Sequence, residues 1–205
     1  LYITVVVIAV LVEHRDNNTG GDIKRTTAYV SLLVNALRAR GYHSDLLTKD
    51  FINNLKIASP MHDIGKISTP DAILQKPGKL TDEEYAIMKQ HAAKGSEIIK
   101  ETFGKRGDSD FIDMAYDVAR FHHEKWNGRG YPAGLKDTEI PLAARIMAVA
   151  DVFDAVSQKR CYREAMPLDE CFKIIEKGRG SDFDPVLVDI FLEEREKVEE
   201  VYKQI

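Results

Sequence analysis

The side chains best suited to chemistry in this chain are imidazoles and carboxylates. Of its six histidines, four fall among apolar residues at helical spacing: His62, followed directly by Asp63; His91; and the adjacent pair His122 and His123. A lone histidine on a helix is more often a packed or surface group than a ligand. Adjacent His/Asp and His/His pairs in apolar surroundings point instead to a metal. His91 follows Met88 by three positions and precedes Ala92, which puts it on the inward stripe of its helix. Asp151 lies within Ala148-Val149-Ala150-Asp151-Val152-Phe153. An ionised carboxylate is costly there unless it is paired or holds a cation. A structural salt bridge is the alternative, but nearby imidazoles favour the metal. Mixed imidazole and carboxylate ligands suit Fe, Mn, Zn, Ni or Co better than Ca or Mg. Two such ions about 3.5–4 Å apart can bridge a hydroxide and grip phosphoryl oxygens. The chemistry is then phosphoester hydrolysis, with metals and nearby cations taking up the charge that grows in the transition state.

These side chains need elements to position them, and helices dominate the sequence. Apolar residues recur at Ala28, Leu32, Leu33, Ala36 and Leu37, predicting a helix from Ile23 to Arg40 that stops at Gly41. A second is expected over Phe51 to Ile64, then a loop marked by Thr69, Pro70, Pro77 and Gly78. Thr81 and Glu84 form a capping-box pattern ahead of the helix that bears His91. Phe111 to His123 gives another, broken sharply by Asn127, Gly128, Gly130 and Pro132. Pro141 stands where a first helical residue tolerates proline, and Leu142 to Val156 follows. Pro167 to Lys177 and a helix capped by Asp184, opened by Pro185 and running to about Lys203, complete an all-α reading.

The run from Leu1 to Val12 is apolar apart from Thr4. It is shorter than the roughly 20 residues that span a bilayer and lacks the marks of a signal peptide. A buried core helix is the expectation, with a strand as the alternative because Val5, Val6, Val7 and Ile8 include β-branched residues. The opening Leu suits a piece of a longer protein, with residues 1–14 a helix or linker continuing from an upstream region and 15–205 the functional domain. At 205 residues, 44% hydrophobic and 30% charged, the chain can bury a core. A net charge of −4 argues against a binder of polymeric nucleic acid. It leaves room for a small anion, because a metal and a few basic groups can reverse the field in a cleft. Cys161 and Cys171 belong to no ligand pattern and read as small buried hydrophobes in a reducing cytoplasm.

Three segments carry a family resemblance. His62-Asp63-Ile64-Gly65-Lys66 resembles the signature of the HD superfamily of metal-dependent phosphohydrolases. His122-His123-Glu124-Lys125-Trp126-Asn127-Gly128-Arg129-Gly130-Tyr131-Pro132 resembles the HHExxxGxGYP segment of its HD-GYP subgroup. Ala150-Asp151-Val152-Phe153-Asp154-Ala155, with Arg160, Tyr162 and Arg163 beyond it, resembles the ADVFDA…R-x-YR segment of the same family. The resemblance runs from about Arg15 to Leu192. It implies a helical bundle of the HD-domain type that hydrolyses cyclic di-GMP to pGpG or GMP in bacterial second-messenger signalling. It implies metal held by His62, Asp63, His91, His122, His123 and Asp151, with Asp63 bridging, and Fe or Mn ahead of Ni, Co or Zn. Lys66 would meet a phosphate or the attacking water. Tyr131 would lie at the substrate, in a loop shaped by Gly130 and Pro132. Arg160 and Arg163 would bind phosphate or guanine, or else form a solvated surface pair. An upstream sensor or receiver domain is a common companion.

One segment departs from the family. Members usually carry R-D-x-E-T-G-x-H near the N-terminus, whereas this chain reads Arg15-Asp16-Asn17-Asn18-Thr19-Gly20-Gly21-Asp22. Asp22 replaces a ligating His and Asn18 a Glu that supports a third metal in some members. Asp22 either ligates a hard cation or caps the following helix. Asn18 lacks charge, so two metals are expected. Asp154 is expected behind the ligands, Glu124 and Trp126 in structural roles, and His14 and His43 at the surface. Hydrolysis of another phosphoester, such as pGpG, and a slow-turnover cyclic dinucleotide receptor are the alternative readings.

Overall fold

The computed structural model of the chain describes residues 2–16, 21–105, 107, 109–158 and 165–205. It is all-α. The helices are α1 (Tyr2–Arg15), α2 (Asp22–Ala39), α3 (Lys49–Ala58), the single turn α4 (Asp71–Leu74), α5 (Asp82–Phe103), α6 (Asp110–Phe121), α7 (Leu142–Ser157), α8 (Leu168–Lys177), α9 (Pro185–Glu193) and α10 (Arg195–Gln204). Short 3-10 turns at Ser59–Met61, Ile64–Ser68 and Asp137–Glu139 punctuate them. Among the described residues there are two isolated β-bridges and no strand.

The core is built around α7. Leu142, Ile146, Met147, Val149, Ala150 and Phe153 are all buried, so this helix is covered on nearly every side. Its neighbours are α2, through the buried Tyr29, Leu33 and Leu37, and α6, through Ala115, Val118 and Ala119. The Tyr29 ring meets Phe153 edge-on at 5.2 Å, and Phe153 lies 5.0 Å from both Phe172 on α8 and Phe191 on α9. This aromatic cluster packs α2, α7, α8 and α9 together (aromatic pairs in this geometry add to their burial). Cys171 is buried beside it, its thiol on the Met166 carbonyl at 3.6 Å, while Cys161 falls outside the described residues.

Local signals set most boundaries. α2 ends where Gly41 takes φ 74°. Thr81 accepts from the Glu84 N–H at 3.3 Å while Glu84 accepts from the Thr81 N–H at 2.7 Å, the reciprocal cap that opens α5. Asp184 accepts from the Val186 N–H at 2.9 Å, with Pro185 as first helical residue of α9.

Two expected helix boundaries are corrected, and the N-terminal helix, found as expected, is buried on one face only. The helix predicted from Phe51 to Ile64 stops at Ala58, because Pro60 follows and the chain tightens into 3-10 turns on either side of His62 and Asp63. The helix predicted from Pro185 to Lys203 is two helices, separated at Glu194 with φ −87° and ψ 14°. Glu194 is buried and takes ion pairs from Arg40 at 2.9 Å and Lys197 at 2.5 Å, contacts an uninterrupted exposed helix would not need. The N-terminal segment is a helix and not a strand, and only one face is covered. Val5, Ala9 and Val12 are buried against the rest of the bundle, whereas Ile3, Val7 and Leu11 are exposed. No helix among the described residues is long and apolar enough to cross a membrane.

Candidate metal centre

Three histidines are oriented by the backbone before any ligand is considered. His62 Nδ1 lies 2.9 Å from the Ser59 carbonyl and His91 Nδ1 lies 2.8 Å from the Met88 carbonyl. His122 Nδ1 lies 2.9 Å from the Val118 carbonyl and 3.1 Å from that of Ala119. A carbonyl can only accept, so each Nδ1 carries the proton, and in the neutral ring each Nε2 keeps its lone pair. A buried imidazole held this way is a preoriented metal ligand.

Those Nε2 atoms converge on Asp63. Asp63 Oδ1 is 3.3 Å from His91 Nε2 and 3.8 Å from His122 Nε2. Asp63 Oδ2 is 3.4 Å from His62 Nε2, which is itself 3.9 Å from Asp151 Oδ1. Asp63, His91, His122 and His123 each offer a ligand atom, all within 4.8 Å of one another. His91 Nε2 and His122 Nε2 face each other at 3.4 Å. Burial lowers the pKa of both rings, so two lone pairs meet with no proton between them. A cation between them converts that repulsion into coordination.

On the other side of Asp63 the donors are His62, Asp151 and Asp22. His62 Nε2 and Asp22 Oδ1 are buried and have no hydrogen-bond partner. Unpaired buried polar atoms are costly, and an imidazole nitrogen beside carboxylates is a donor set for a borderline divalent ion. Burial works against charge on His62, but Asp63, with Asp151 and Asp22, pushes it up to about 10. Burial likewise opposes ionisation of Asp63, yet Lys66 and His62 hold its carboxyl well below the usual range. The carboxylates around His62 favour positive charge beside it and Asp63 stays ionised, so the residues fit a metal.

The supports explain several sequence features. Gly65 lies so close to α5 that an added Cβ would stand 1.9 Å from the His91 carbonyl oxygen and 2.5 Å from the Gly95 nitrogen. Only glycine lets the turn bearing Asp63 rest against the helix bearing His91. Glu124, buried, accepts from the N–H groups of Ala133, Gly134 and Leu135 at 2.7, 3.1 and 3.0 Å. It fastens the loop after the His122–His123 pair. Gly130 packs on the 124–125 backbone, where a Cβ would come within 2.3 Å of the Lys125 nitrogen. Tyr131 then stacks on His123 at 4.8 Å, and burial raises its hydroxyl pKa. Arg145 lies over the Trp126 ring at 5.8 Å and pairs with Asp184 at 2.6 Å, holding the start of the same loop.

The structure therefore brings His62, Asp63, His91, His122, His123, Asp151, Lys66 and Tyr131 to one place, with Asp22 lining the same cavity. Asp22 is the first residue of α2, and the residue before it, Gly21, makes no side-chain cap bond. Asp154, expected behind the ligands, is buried and bound through both oxygens by Arg25, at 2.5 and 3.1 Å. Lys66 is held by two carboxylates, Asp63 and Asp16, each at 2.7 Å. Arg160, Arg163 and Asn18 lie outside the described residues. His14 is exposed and His43 partly so.

Asp16 and Glu13 are additions that sequence reasoning missed. Asp16 shares Lys66, and Glu13 accepts the Asp22 N–H at 2.9 Å. Asp16 belongs to the Arg15-Asp16 pair that opens the N-terminal motif, so a signal existed. Glu13 had none, because only the packing of α1 brings it to Asp22. Arg15 itself donates to the Ile67 and Thr69 carbonyls at 2.6 and 2.8 Å, tying the end of α1 to the segment after Asp63.

Comparisons with known proteins agree on one family. The family described as HD domain matches residues 15–187. A cyclic di-GMP phosphodiesterase from Vibrio cholerae is 44% identical over 195 residues, covering 95% of this chain and 40% of that protein. A cyclic di-GMP phosphodiesterase from Thermotoga maritima is 42% identical over 158 residues, covering 77% of this chain and 42% of that protein. The crystal structure of a cyclic GMP-AMP specific phosphodiesterase from Vibrio cholerae superposes with a TM-score of 0.61 at 16% identity, covering 97% of this chain and 53% of that one. This chain thus spans about two fifths of the length of the curated relatives it matches.

Proposed function

We propose, from the premise that this chain belongs to the HD domain family and is of its HD-GYP type, that it hydrolyses cyclic di-GMP to pGpG or GMP at a two-metal site. The observation that carries this reading is Asp63, whose two oxygens face separate imidazole sets: His91 and His122 on one side, His62 on the other. One ion would be held by Asp63, His91, His122 and His123, and the second by His62, Asp63, Asp151 and Asp22. Iron or manganese suits these donors best, with nickel, cobalt or zinc also compatible. Bound there, divalent ions supply positive charge to the phosphoryl oxygens and lower the pKa of water at the site.

The chain's own residues do the rest. The backbone carbonyls at Ser59, Met88, Val118 and Ala119 keep each imidazole's Nε2 aimed inward, so the ligands need little reorganisation on binding. Lys66 holds Asp63 and Asp16 in place and keeps the Asp63 oxygens ionised. Tyr131, on its glycine-shaped loop, provides a ring wall beside His123 for the substrate. Arg160 and Arg163 are assigned to phosphate or guanine from the motif they resemble. We place the activity in the cytoplasm, where the substrate is a signalling molecule, under control of an upstream sensor or receiver domain.

The test is turnover of cyclic di-GMP by protein loaded anaerobically with Mn²⁺ or Fe²⁺, beside Asp63→Ala, with products separated by chromatography. Hydrolysis by the wild type alone supports the reading, and the pGpG to GMP ratio shows how far the reaction runs. Cleavage of cyclic GMP-AMP with cyclic di-GMP untouched would replace the substrate. Binding with no turnover at full metal occupancy would make the protein a receptor.

A further inference from the structure

A cyclic dinucleotide carries two phosphates, and a cation beside the candidate metal centre would suit the one that is not being cleaved. The described basic residues around the site are mostly committed to carboxylates: Lys66 to Asp63 and Asp16, Arg25 to Asp154, Lys125 to Asp182 and Arg145 to Asp184. Lys89 is placed differently. It lies on α5, two residues before His91, and its Nζ stands 5.8 Å from the centroid of the Tyr131 ring and 5.1 Å from that of Tyr85. Among the described residues it makes no ion pair. Tyr131 stacks in turn on His123, so the ammonium stands one ring away from the candidate metal ligands. Tyr85, one helical turn before Lys89, is 49% exposed although it is a large aromatic group.

We propose that Lys89 and Tyr85 form an outer subsite for the half of the dinucleotide that lies off the metals, with Lys89 binding the second phosphate and the Tyr85 ring stacking on its base. An ammonium beside aromatic faces is held by attraction to the ring quadrupole. It can donate to a phosphate oxygen in a charge-assisted bond. An exposed ring beside it presents a face on which any base can stack. The proposal rests on the cyclic dinucleotide reading, so its test must separate the two.

The measurement is competition: the inhibition constant of cyclic di-GMP against cleavage of the generic diester bis(p-nitrophenyl) phosphate by the metal-loaded protein. The Lys89→Met variant keeps an unbranched side chain of similar length and removes the charge. It is expected to raise that inhibition constant about tenfold, as loss of one such contact does, and to change the KM for the small diester much less. Lys89→Arg should recover most of the affinity, and Tyr85→Ala should weaken cyclic di-GMP severalfold where Tyr85→Phe does not. Equal losses for both diesters, or an unchanged inhibition constant in Lys89→Met, would overturn the subsite while leaving the phosphodiesterase reading intact. If cyclic di-GMP competes in a Lys89-dependent way yet is never cleaved, the subsite stands and the phosphodiesterase reading falls. If it neither competes nor is cleaved, both fall.

Discussion

Asp63 and Glu124 show how differently two acidic residues act at the residue scale. Asp63 faces three imidazoles and a lysine, so its loss leaves Lys66 and His62 without their carboxylate and removes the group shared by both imidazole sets. Asp63→Asn keeps the shape and removes the charge. We predict that metal content by elemental analysis falls to background and that turnover drops at least about a thousandfold, the scale on which removed transition-state charge stabilisation is felt. Glu124 touches no imidazole and instead collects three backbone N–H groups. Glu124→Gln leaves one acceptor oxygen for three donors. It should cost about 2 kcal/mol, seen as a fall of about 4–8 °C in Tm. Metal content should hold, while kcat declines because Tyr131 is no longer fixed on His123.

At the scale of elements, the centre depends on how closely the turn after Asp63 approaches α5. Gly65 sets that distance, since an added methyl would stand 1.9 Å from the His91 carbonyl oxygen. Gly65→Ala must push the turn away from α5, separating Asp63 from His91. The expected result is a loss of about 3 kcal/mol in stability together with weakened metal retention on dialysis. A variant that unfolds earlier but keeps full metal content would show that the turn and the helix are not coupled as described. The end of α3 works in the same sense. The helical periodicity runs on to Ile64, but Pro60 stops the regular helix and the 3-10 turns deliver His62 and Asp63 to the cluster.

For the whole molecule, the centre joins α2, α5, α6, α7 and the turns after α3, so an ion bound there crosslinks most of the bundle. Metal that binds only the folded state at a hundred times its Kd adds about 2.7 kcal/mol, or about 5–10 °C in Tm for a chain of this size. Removal with EDTA should reverse the gain, and Asp63→Asn should show none of it. The aromatic cluster around Phe153 contains none of the proposed ligands. Phe153→Ala opens a cavity between Tyr29, Phe172 and Phe191 and should cost about 3–5 kcal/mol. The metal-induced rise in Tm should persist in that variant, provided it folds.

The sequence by itself determined the all-α class, the helix starts at Thr81 and Pro185, and the imidazoles and carboxylates with metal chemistry. Those features are local: caps, apolar periodicity and adjacent residues act within one or two turns of chain. The tertiary structure decided what depends on distance between elements. It put Asp63 between two imidazole sets, committed Lys66 to two carboxylates and brought Glu13 of α1 and Asp16 just beyond it to the centre. Two helices whose periodicity read as continuous are broken, at Pro60 and at Glu194. At Pro60 the break was local, a proline that the apolar periodicity overran, whereas at Glu194 local propensity lost to a distant contact, the ion pair with Arg40. Such pairings carry no periodic trace in the chain, because the partners are far apart in sequence and meet only when the bundle closes.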